Sequence, residues 1–452
     1  MRDARIAELE ARLGRLEALM AEEVASRDAR IAELEKLLAE SRRSGKRQAA
    51  PFSKGEPNPE PARPGRKRGG AHGRHGHRMT PGDADRTLDA PLPAACPHCG
   101  GEVAHERDAD QWQVDLPALA PTVTRFKVAV GRCRGCGRRV HGRHPEQTSD
   151  ALGAAGSQVG PHAKAWAIWL HYGLGLSFGK CADVLARFGV NVTAGALCQA
   201  AQSSSTDLVP VHNAIVARVN DAAMVVMDET GWRVGGEGAW LWVATSTEAT
   251  CYNVAAGRGF EQACDLVDAD YDGVLVRDGW APYRCYSNAT HQTCVAHLLR
   301  RCDELIDDLP DWARSTPRRV ADLLAEALAA RDLDDTERAA RIVDLAERIE
   351  LLAEDAHPHD ECRKLVGHLQ RESAALLTFL ARPGVDATNW RAEQAIRPAV
   401  VNRKVWGGNR TWRGAATQGR IMTVLRTASQ HGVDAIDYLT RHARAPTTPL
   451  FT

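Results

Sequence analysis

The sequence predicts an α/β fold in which a mixed sheet is followed by a long helical segment. Four runs rich in β-branched and aromatic residues are separated by turn signals, which is typical of strands. They are 222–227, 239–246, 250–256 and 274–278. Short turns between the first three predict an antiparallel meander, and a predicted helix at 258–267 lets the fourth strand lie parallel to the first. Residues 296–382 then show apolar residues at helical spacing.

Composition leaves a nucleic-acid partner open and argues against a membrane protein. The 452 residues include 58 basic and 58 acidic side chains, so the formal net charge is zero. Basic residues are nevertheless concentrated between 42 and 78, a segment that contains eleven Lys and Arg but only two acidic residues, both Glu. No run of 18 apolar residues and no secretory signal is present, so we expect a protein of the cytoplasm with reduced thiols.

The first 90 residues predict a coiled coil followed by a basic linker. In 1–41, apolar residues recur at 3–4 spacing, and RDARIAELE occurs at both 2–10 and 27–35. This pattern favours self-association as a homo-oligomer, most simply a dimer; the alternative is an amphipathic helix packed on its own chain. Residues 42–90 are rich in Pro, Gly, Arg and His, which predicts a disordered arm suited to phosphate contacts or a merely solvated linker.

Two C-x-x-C pairs predict a structural zinc site within 91–148. The four thiols belong to Cys96, Cys99, Cys133 and Cys136, and glycines follow both pairs. Thiolates in two such turns are typical of a tetrahedral zinc ribbon. The intervening 112–130 alternates in a strand-like way, as a ribbon would.

Residues 150–215 are predicted to be helical and to have a helix-turn-helix outline. One helix ends near Gly189, and Thr193 is a suitable N-cap for the next. Such an outline is typical of DNA-binding modules, although any helical hairpin has a similar pattern.

Two aspartates follow predicted parallel strands in the same way. Asp228 and Asp278 each come after a buried run and precede a Gly-Trp pair. If the two strands are neighbours, these carboxylates lie close together, where their repulsion favours a hard divalent cation. Two Mg²⁺ ions about 4 Å apart are able to hold both the attacking and leaving oxygens of a phosphodiester. Glu229 is a poor partner for Asp228, because adjacent strand residues point to opposite faces.

Glu393 is the best candidate for a third ligand. It is the one acidic residue among eight basic residues between 391 and 426, a segment that also contains Trp406 and Trp412. A single glutamate on a basic, aromatic surface suits a metal ligand beside a nucleic-acid backbone. The alternative is a plain ion pair with Arg397 one helical turn later.

The motifs together resemble one family over nearly the whole chain. DETGWRV, VRDGWAPY followed by CVAHLLRR, and TNWRAEQAIRPAVVNRKVWGGNRTWRGA are similar to the DDE transposases of bacterial insertion sequences of the "insertion sequence 66" type. CPHCGG, CRGCGRRV, the coiled coil and the GRKRGGAHGRHGH arm also resemble the N-terminal half of that family.

The resemblance implies a ribonuclease H-like catalytic core interrupted by an all-α insertion. The core would comprise 220–295 and 386–445, with the insertion at 296–385. It also implies that Asp228, Asp278 and Glu393 form a triad that binds two Mg²⁺ or Mn²⁺ ions.

Further residues acquire candidate roles from the same resemblance. Cys294 and His297 match a C-x-x-H signature, which makes His297 and nearby Arg300 candidates for contacting DNA or supporting a metal ligand. A buried structural pair is the alternative reading of Cys294 and His297. Some transposases have a basic residue seven positions after the glutamate, where this chain has Val400. Candidates to replace it, or to contact DNA, are Arg397, Arg403 and Lys404.

Three other features have both a functional and a structural interpretation. Trp232 and Trp280 would suit stacking on unpaired bases, but packing in or beside the core explains them equally well. The segment 357–362 (HPHDEC) has metal-ligand residue types, yet a polar loop between helices is the simpler interpretation.

The expected function is therefore a DNA transposase that cleaves the ends of an insertion sequence and joins them to target DNA. Its expected partners are terminal inverted repeats, target DNA, a second copy of the chain and, from the resemblance, small accessory proteins encoded by the same element; association with the nucleoid follows. The alternatives are a ribonuclease H-like nuclease or resolvase, and a DNA-binding regulator with an inactive core.

Overall fold

The structure, a computed structural model, describes residues 81–116, 119–156, 158–355 and 357–450. They fall into two compact units, divided between Leu116 and Pro117. The predicted coiled coil at 1–41 and most of the predicted linker at 42–90 lie outside the described residues. In the part that is described, no helix is both long and apolar enough to cross a membrane.

The first unit contains one C-x-x-C turn. The N–H of Cys96 donates to the carbonyl of Gly101, and the N–H of Gly100 donates to the carbonyl of Cys96, both at 2.8 Å. Gly100 has a φ of +76°, a left-handed conformation that favours glycine. The glycine after the second cysteine therefore closes the turn.

The second unit begins with a hairpin that contains the other C-x-x-C turn. Strand β1 (Val130–Arg132) pairs with antiparallel β2 (Arg139–His141), and the turn connects them. The described part of 112–129 has no regular secondary structure, so the strands predicted between the two cysteine pairs are absent there. Apolar and polar residues alternate in this segment, but no neighbouring strand pairs with its backbone. Without such hydrogen bonds, no sheet forms there.

A five-stranded mixed sheet forms the centre of the second unit, in the order β5-β4-β3-β6-β7. Its strands are β3 Met224–Val234, β4 Glu237–Thr245, β5 Thr250–Ala255, β6 Val274–Arg277 and β7 Thr290–Thr293. The first three form an antiparallel meander, and β6 and β7 run parallel to β3. The predicted meander and the predicted parallel fourth strand are both confirmed.

Strand β3 is longer than its apolar run predicts. It continues through DETGW and stays paired with β4 as far as Val234, which lies opposite Glu237. Gly235 and Gly236, with φ of +63° and +91°, then form the hairpin turn. The prediction that the strand ends at Met227 is therefore wrong, because pairing with β4 carries the strand through its polar residues.

Helices surround this sheet and form the segments before and after it. They are α1 Pro161–Ile168, α2 Phe178–Arg187, α3 Ala194–Asp207, α4 Val209–Asn220, α5 Phe260–Ala263, α6 Val295–Asp308, α7 Ser315–Ala329, α8 Asp335–Glu354, α9 Asp360–Leu376, α10 Thr378–Ala381, α11 Trp390–Trp406, α12 Trp412–Gln430 and α13 Ala435–Arg444. A π-helical turn, Trp169–Gly173, follows α1.

The predicted pair of helices is present as α2 and α3. Gly189 has a φ of +78° just after α2, and the Thr193 hydroxyl accepts the N–H of Ala196 at 3.2 Å, so Thr193 is the N-cap of α3. Both local signals are confirmed.

Helix α12 covers the edge strand β5. Thr423 accepts the N–H of Tyr252 at 2.9 Å, and Thr427 accepts the N–H of Thr250 at 3.2 Å. Gly419 permits this approach, because a Cβ there would lie 2.8 Å from the Tyr252 carbonyl oxygen. Backbone groups that would otherwise attract another strand are thus paired within the chain.

The helical segment between β7 and α11, which is the predicted insertion, leaves and rejoins the sheet region at neighbouring points. The N–H of Val295, at the start of α6, donates to the carbonyl of Ala387 at 3.0 Å. The N–H of Asn389, just before α11, donates to Cys294 Sγ at 3.3 Å. The two chain ends are therefore held together by two main-chain N–H groups, one bonded to a carbonyl oxygen and the other to the Cys294 sulfur.

Acid should destabilise the second unit through His171. This side chain is 6% exposed and stacks on Phe178 and Trp406, and burial lowers its pKa to about 4. Unfolded His171 takes up a proton near pH 6.5 but the folded residue does not, so stability is lost as the pH falls from 6.5 towards 4. We expect a loss of about 2 kcal/mol between pH 7 and 5 from this residue alone.

Urea unfolding at pH 7 and pH 5 measures the loss directly. His171→Phe should keep the stacking and reduce the pH dependence by that amount, whereas His162→Phe, at an exposed histidine, should not. An unchanged pH dependence in His171→Phe would contradict the assignment.

Candidate active site

The sheet aligns the two predicted aspartates. In the parallel pair of β3 and β6, Val226 lies opposite Val276, so Asp228 and Asp278 each come two residues after that pair. Asp278 follows the last residue of β6, while Asp228 lies inside the longer β3. The register therefore places the two aspartates at equivalent positions of neighbouring parallel strands, as the prediction of a shared site requires.

Asp228 is in an environment that disfavours its negative charge. Burial is the main reason that its pKa is raised to about 8, and the charge of Glu229 adds to the effect. The hydrogen bond from the N–H of Glu229, at 2.9 Å, opposes the shift, while the charges of Asp278 and Glu393 increase it. All three predicted triad members therefore interact electrostatically, and a cation among them would relieve the repulsion.

Backbone contacts hold Asp278 in a defined turn. Its Oδ1 accepts a hydrogen bond from the N–H of Trp280 at 2.8 Å. Its main-chain carbonyl accepts one from the guanidinium of Arg277 at 3.0 Å. An aspartate that bonds the backbone two residues later is typical of an Asx turn. One carboxylate oxygen is thereby oriented before any ligand arrives.

Glu393 lies in the first turn of α11 and faces α6. Its Oε1 lies 3.7 Å from His297 Nε2 and 3.8 Å from Arg300, and its side chain is 37% exposed. Its ion pairs are thus with a different helix, which does not favour the simple alternative of a pair with Arg397.

Contacts with the sheet fix the position of α11. Tyr252, on β5, donates its hydroxyl to the carbonyl of Ala395 at 2.6 Å. Arg403 donates to the carbonyl of Gly231 on β3, and Asn402 donates to the carbonyl of Tyr172 at 3.1 Å. The helix that contains Glu393 is therefore tied to the strand that contains Asp228.

These contacts separate the predicted basic residues by role. Arg403 is half-buried and bonded to β3, so it supports the fold. Arg397 and Lys404 are exposed on the outer face of α11, beside Val401 and Val405. Of the candidates on this helix, Arg397 and Lys404 are the ones available to a partner.

Glu229 is held by partners outside the candidate ligand set, although burial and the charge of Asp278 raise the pKa of its carboxyl. Its carboxylate is 1% exposed, pairs with Arg258 at 2.6 Å and accepts the hydroxyl of Tyr283. Arg258 in turn lies 4.0 Å from the ring centre of Trp280. Glu229 thus links Arg258, which precedes the Asp278 turn along the chain, to Tyr283, which follows it.

His297 and Cys294 have different environments. Cys294 is fully buried at the N-terminus of α6, whereas the His297 side chain is 32% exposed and lies near Glu393. Its Nδ1 is buried and lacks a hydrogen-bond partner among the described residues. The two do not form a jointly buried pair, and His297 belongs to the surroundings of Glu393.

Trp232 and Trp280, the two tryptophans considered for base stacking, differ in their exposure to solvent. Trp232 is 3% exposed and donates to Asn409 Oδ1 at 2.7 Å, so it is a core residue and a role in base stacking is excluded in this conformation. Trp280 is 37% exposed beside the Asp278 turn.

The HPHDEC segment is a structural loop, as its simpler interpretation predicts. His357 is 9% exposed and contacts the Leu352 carbonyl at 2.8 Å and the Thr316 hydroxyl at 3.1 Å. His359 caps α9 by accepting the N–H of Glu361. These side chains are engaged in helix ends, not in a common ligand set.

The donor set suits a hard cation, although its members are spread out. Carboxylate oxygens are the ligands that Mg²⁺ and Mn²⁺ prefer. Over the described ranges, no three His, Cys, Asp or Glu side chains are gathered tightly enough to hold an ion as they stand. Glu393, which faces His297 and Arg300, would have to turn towards the aspartates.

The described cysteine turns share one geometry. Cys133 and Gly137 repeat the two backbone hydrogen bonds of the first turn, at 2.8 and 2.9 Å. Backbone N–H groups of His98 and Cys99 lower the pKa of Cys96, and those of Cys136 and Gly135 lower the pKa of Cys133. Each turn by itself therefore favours a thiolate, the form that binds zinc.

Sequence reasoning missed several residues around the site. Arg258 and Tyr283 hold Glu229. The buried Glu372 pairs with the buried Arg277, which precedes Asp278, and with the partly exposed Arg284. One signal was present for Glu372, which occupies a position of the apolar stripe formed by Leu365, Leu369 and Leu376 on α9. A charged residue at such a position needs a buried partner.

A mixed sheet with aspartates on adjacent parallel strands defines a candidate centre for phosphoryl transfer. The family model described as "Transposase IS66 family" matches residues 156–417, which include the sheet, the insertion and α11. This chain belongs to that family. It is also 24% identical over 310 residues to "Uncharacterized protein y4qI" of Sinorhizobium fredii (strain NBRC 101917 / NGR234), a match that covers 60% of this chain and 56% of that protein.

Proposed function

We propose that this protein is a DDE-type DNA transposase that cleaves insertion-sequence ends and transfers them to target DNA. The observation that carries the proposal is the alignment of Asp228 and Asp278 on neighbouring parallel strands, with Glu393 near enough for its charge to raise the pKa of Asp228. Membership of the family supports the same class. The strand order, with a meander and two further parallel strands, supports a ribonuclease H-like core.

In this proposal Asp228, Asp278 and Glu393 bind two Mg²⁺ or Mn²⁺ ions. When bound, such ions lower the pKa of the attacking hydroxyl and stabilise charge on the leaving oxygen. The chain's own part is to orient the ligands: the Asx turn holds Asp278, and α11 presents Glu393. One pocket serves cleavage and joining, because both are in-line displacements at phosphorus.

Residues around the triad would bind the DNA backbone. His297 and Arg300 lie within 4 Å of Glu393, so a phosphate held at the metal site would be close to both. Arg397 and Lys404 extend the exposed basic surface along α11. Their charges act through counterion release and make binding salt-dependent.

The N-terminal half would recognise the transposon ends and pair two protomers. The proposal assigns DNA binding to α2, α3 and the basic arm, zinc binding to the four cysteines, and dimerisation to 1–41. Small accessory proteins from the same element would complete the assembly.

Zinc content offers a direct check of the cysteine assignment. We expect about one zinc ion per chain, and Cys99→Ser or Cys136→Ser should remove most of it because a structural site needs all four thiolates. Elemental analysis of purified protein measures this. Cys285→Ser is the matched control, since Cys285 is also an exposed free thiol; equal zinc in all variants would refute the ribbon.

Labelled DNA carrying the element's own ends tests the activity. With Mg²⁺ or Mn²⁺, a transposase yields nicked ends with free 3′ hydroxyls and then joined products. Cleavage without joining would favour the nuclease or resolvase. Binding without cleavage would favour a regulator with an inactive core.

A further inference from the structure

A carboxylate of the helical insertion is buried directly behind the candidate active site. Glu372, on α9, is fully buried and accepts hydrogen bonds from Thr293 at 2.6 Å and from Arg284 at 2.8 Å. It also pairs with Arg277, which is 2% exposed. Two arginines and a hydroxyl from the core thus converge on one side chain from the insertion.

The two arginines flank the turn that contains Asp278. Arg277 is the last residue of β6, and the nitrogen that meets Glu372 also donates to the Asp278 carbonyl at 3.0 Å. Arg284 lies in the 3-10 turn Ala281–Cys285 on the other side. One carboxylate therefore holds both ends of the segment.

The charge of Glu372 is maintained in this buried position. Burial alone raises the pKa of its carboxyl, but the hydrogen bond from Thr293 and the charge and hydrogen bonds of Arg277 and Arg284 outweigh burial and lower it. A buried ion pair with several hydrogen bonds is sensitive to loss of one partner.

A second contact from α9 lies on the turn itself. The ring of His368, one helical turn before Glu372, packs against Gly279, where a Cβ would overlap its Cε1 and Nε2 atoms. Gly279 does not have a positive φ, so it is the neighbouring ring that requires glycine here. The insertion thus contacts the Asp278 turn at its centre as well as at both flanks.

We propose that Glu372 is a positioning residue: through Arg277 and Arg284 it holds the turn that presents Asp278 to the metal ions. This inference rests on the proposed metal-binding function of Asp278. It gives the insertion a role in assembling the site, since α9 contributes no ligand of its own.

Mn²⁺ binding to the full chain, measured by calorimetry, tests the inference without relying on DNA cleavage. Glu372→Gln should weaken Mn²⁺ binding about 10- to 100-fold, the scale on which residues that orient metal ligands act. Glu361→Gln, on the same helix at a surface pair with Lys364, should bind as wild type does. Melting temperatures verify that each variant is folded.

If Glu372→Gln does not fold, a second pair of variants tests whether α9 positions the turn that contains Asp278. Gly279→Ala should weaken Mn²⁺ binding by pushing the turn away from His368, and adding His368→Ala should restore it by removing the overlap. Melting temperatures of both variants distinguish the two roles: a loss and return of Mn²⁺ affinity at unchanged melting temperature supports positioning of the turn, whereas affinity that changes only together with melting temperature contradicts it.

The outcomes separate this inference from the proposed function. Asp278→Asn should abolish binding at this site; if it binds Mn²⁺ as wild type does, the proposed metal site itself is wrong. If Asp278→Asn loses binding but folded Glu372→Gln and Gly279→Ala keep wild-type affinity, the positioning role alone is overturned.

Discussion

Asp228→Asn, Asp278→Asn and Glu393→Gln should each reduce DNA cleavage and joining by at least about 10³-fold while DNA binding is retained. Each change removes a charge that the proposed chemistry uses in the transition state, and losses of this size are typical when such a group is removed. The amides keep the size of the acids, so the folded structure should survive.

The same DNA-end assay compares the three variants with Asp270→Asn. Asp270 is an exposed aspartate of the same core, so its loss of charge should leave both steps intact. DNA binding is followed separately by fluorescence anisotropy. If Glu393→Gln remains active while both aspartate variants are inactive, the third ligand must be sought among the acids of the insertion.

Glu229→Ala should strongly reduce the stability of the protein without a matching effect on metal binding. Its carboxylate is 1% exposed, and its removal leaves the hydroxyl of Tyr283 and the guanidinium of Arg258 without their acceptor. Loss of one partner of a buried ion pair costs about 3–5 kcal/mol. Because Arg258 is 29% exposed and regains water, we expect about 3 kcal/mol less free energy of unfolding.

Tyr283→Phe provides a graded comparison, since it removes one donor and leaves the ion pair. It should cost about 1 kcal/mol, the usual net value of a hydrogen bond. Urea unfolding gives both numbers, and Mn²⁺ calorimetry on the same samples should give wild-type affinity. A Glu229→Ala protein of normal stability that no longer binds Mn²⁺ would instead make Glu229 a metal ligand.

Local patterns predicted much of the sheet and the position of both aspartates. Short turns specify the meander, and a crossover long enough for α5 permits the parallel β6, so the placement of β3 and β6 as parallel neighbours follows from chain connectivity. Thr193 and Gly189 likewise act within their own helices. Turns, caps and short connections depend on residues that are close together along the chain, so the sequence alone predicts them.

What the sequence did not reveal depends on residues distant along the chain. Strand β7 is polar (THQT), and its two buried residues have partners far away in sequence: Gln292 accepts the N–H of Phe379 at 2.8 Å, and Thr293 donates to Glu372. Strand β3 extends past Asp228 because β4 pairs with it. No local pattern contains these partners, although Glu372 on an apolar stripe signals that one exists.

The hydrogen bond between Val295 and Ala387 shows how a whole helical segment could be added to or removed from this fold during evolution. A segment of about ninety residues begins and ends at one point of the core, and segments with adjoining ends are the ones that domain insertion tolerates. A coding segment acquired there, in a single genetic event, would leave the path of the sheet unchanged. The ion pairs of Glu372 with Arg277 and Arg284 would then be a later adaptation, through which the core came to depend on the inserted segment.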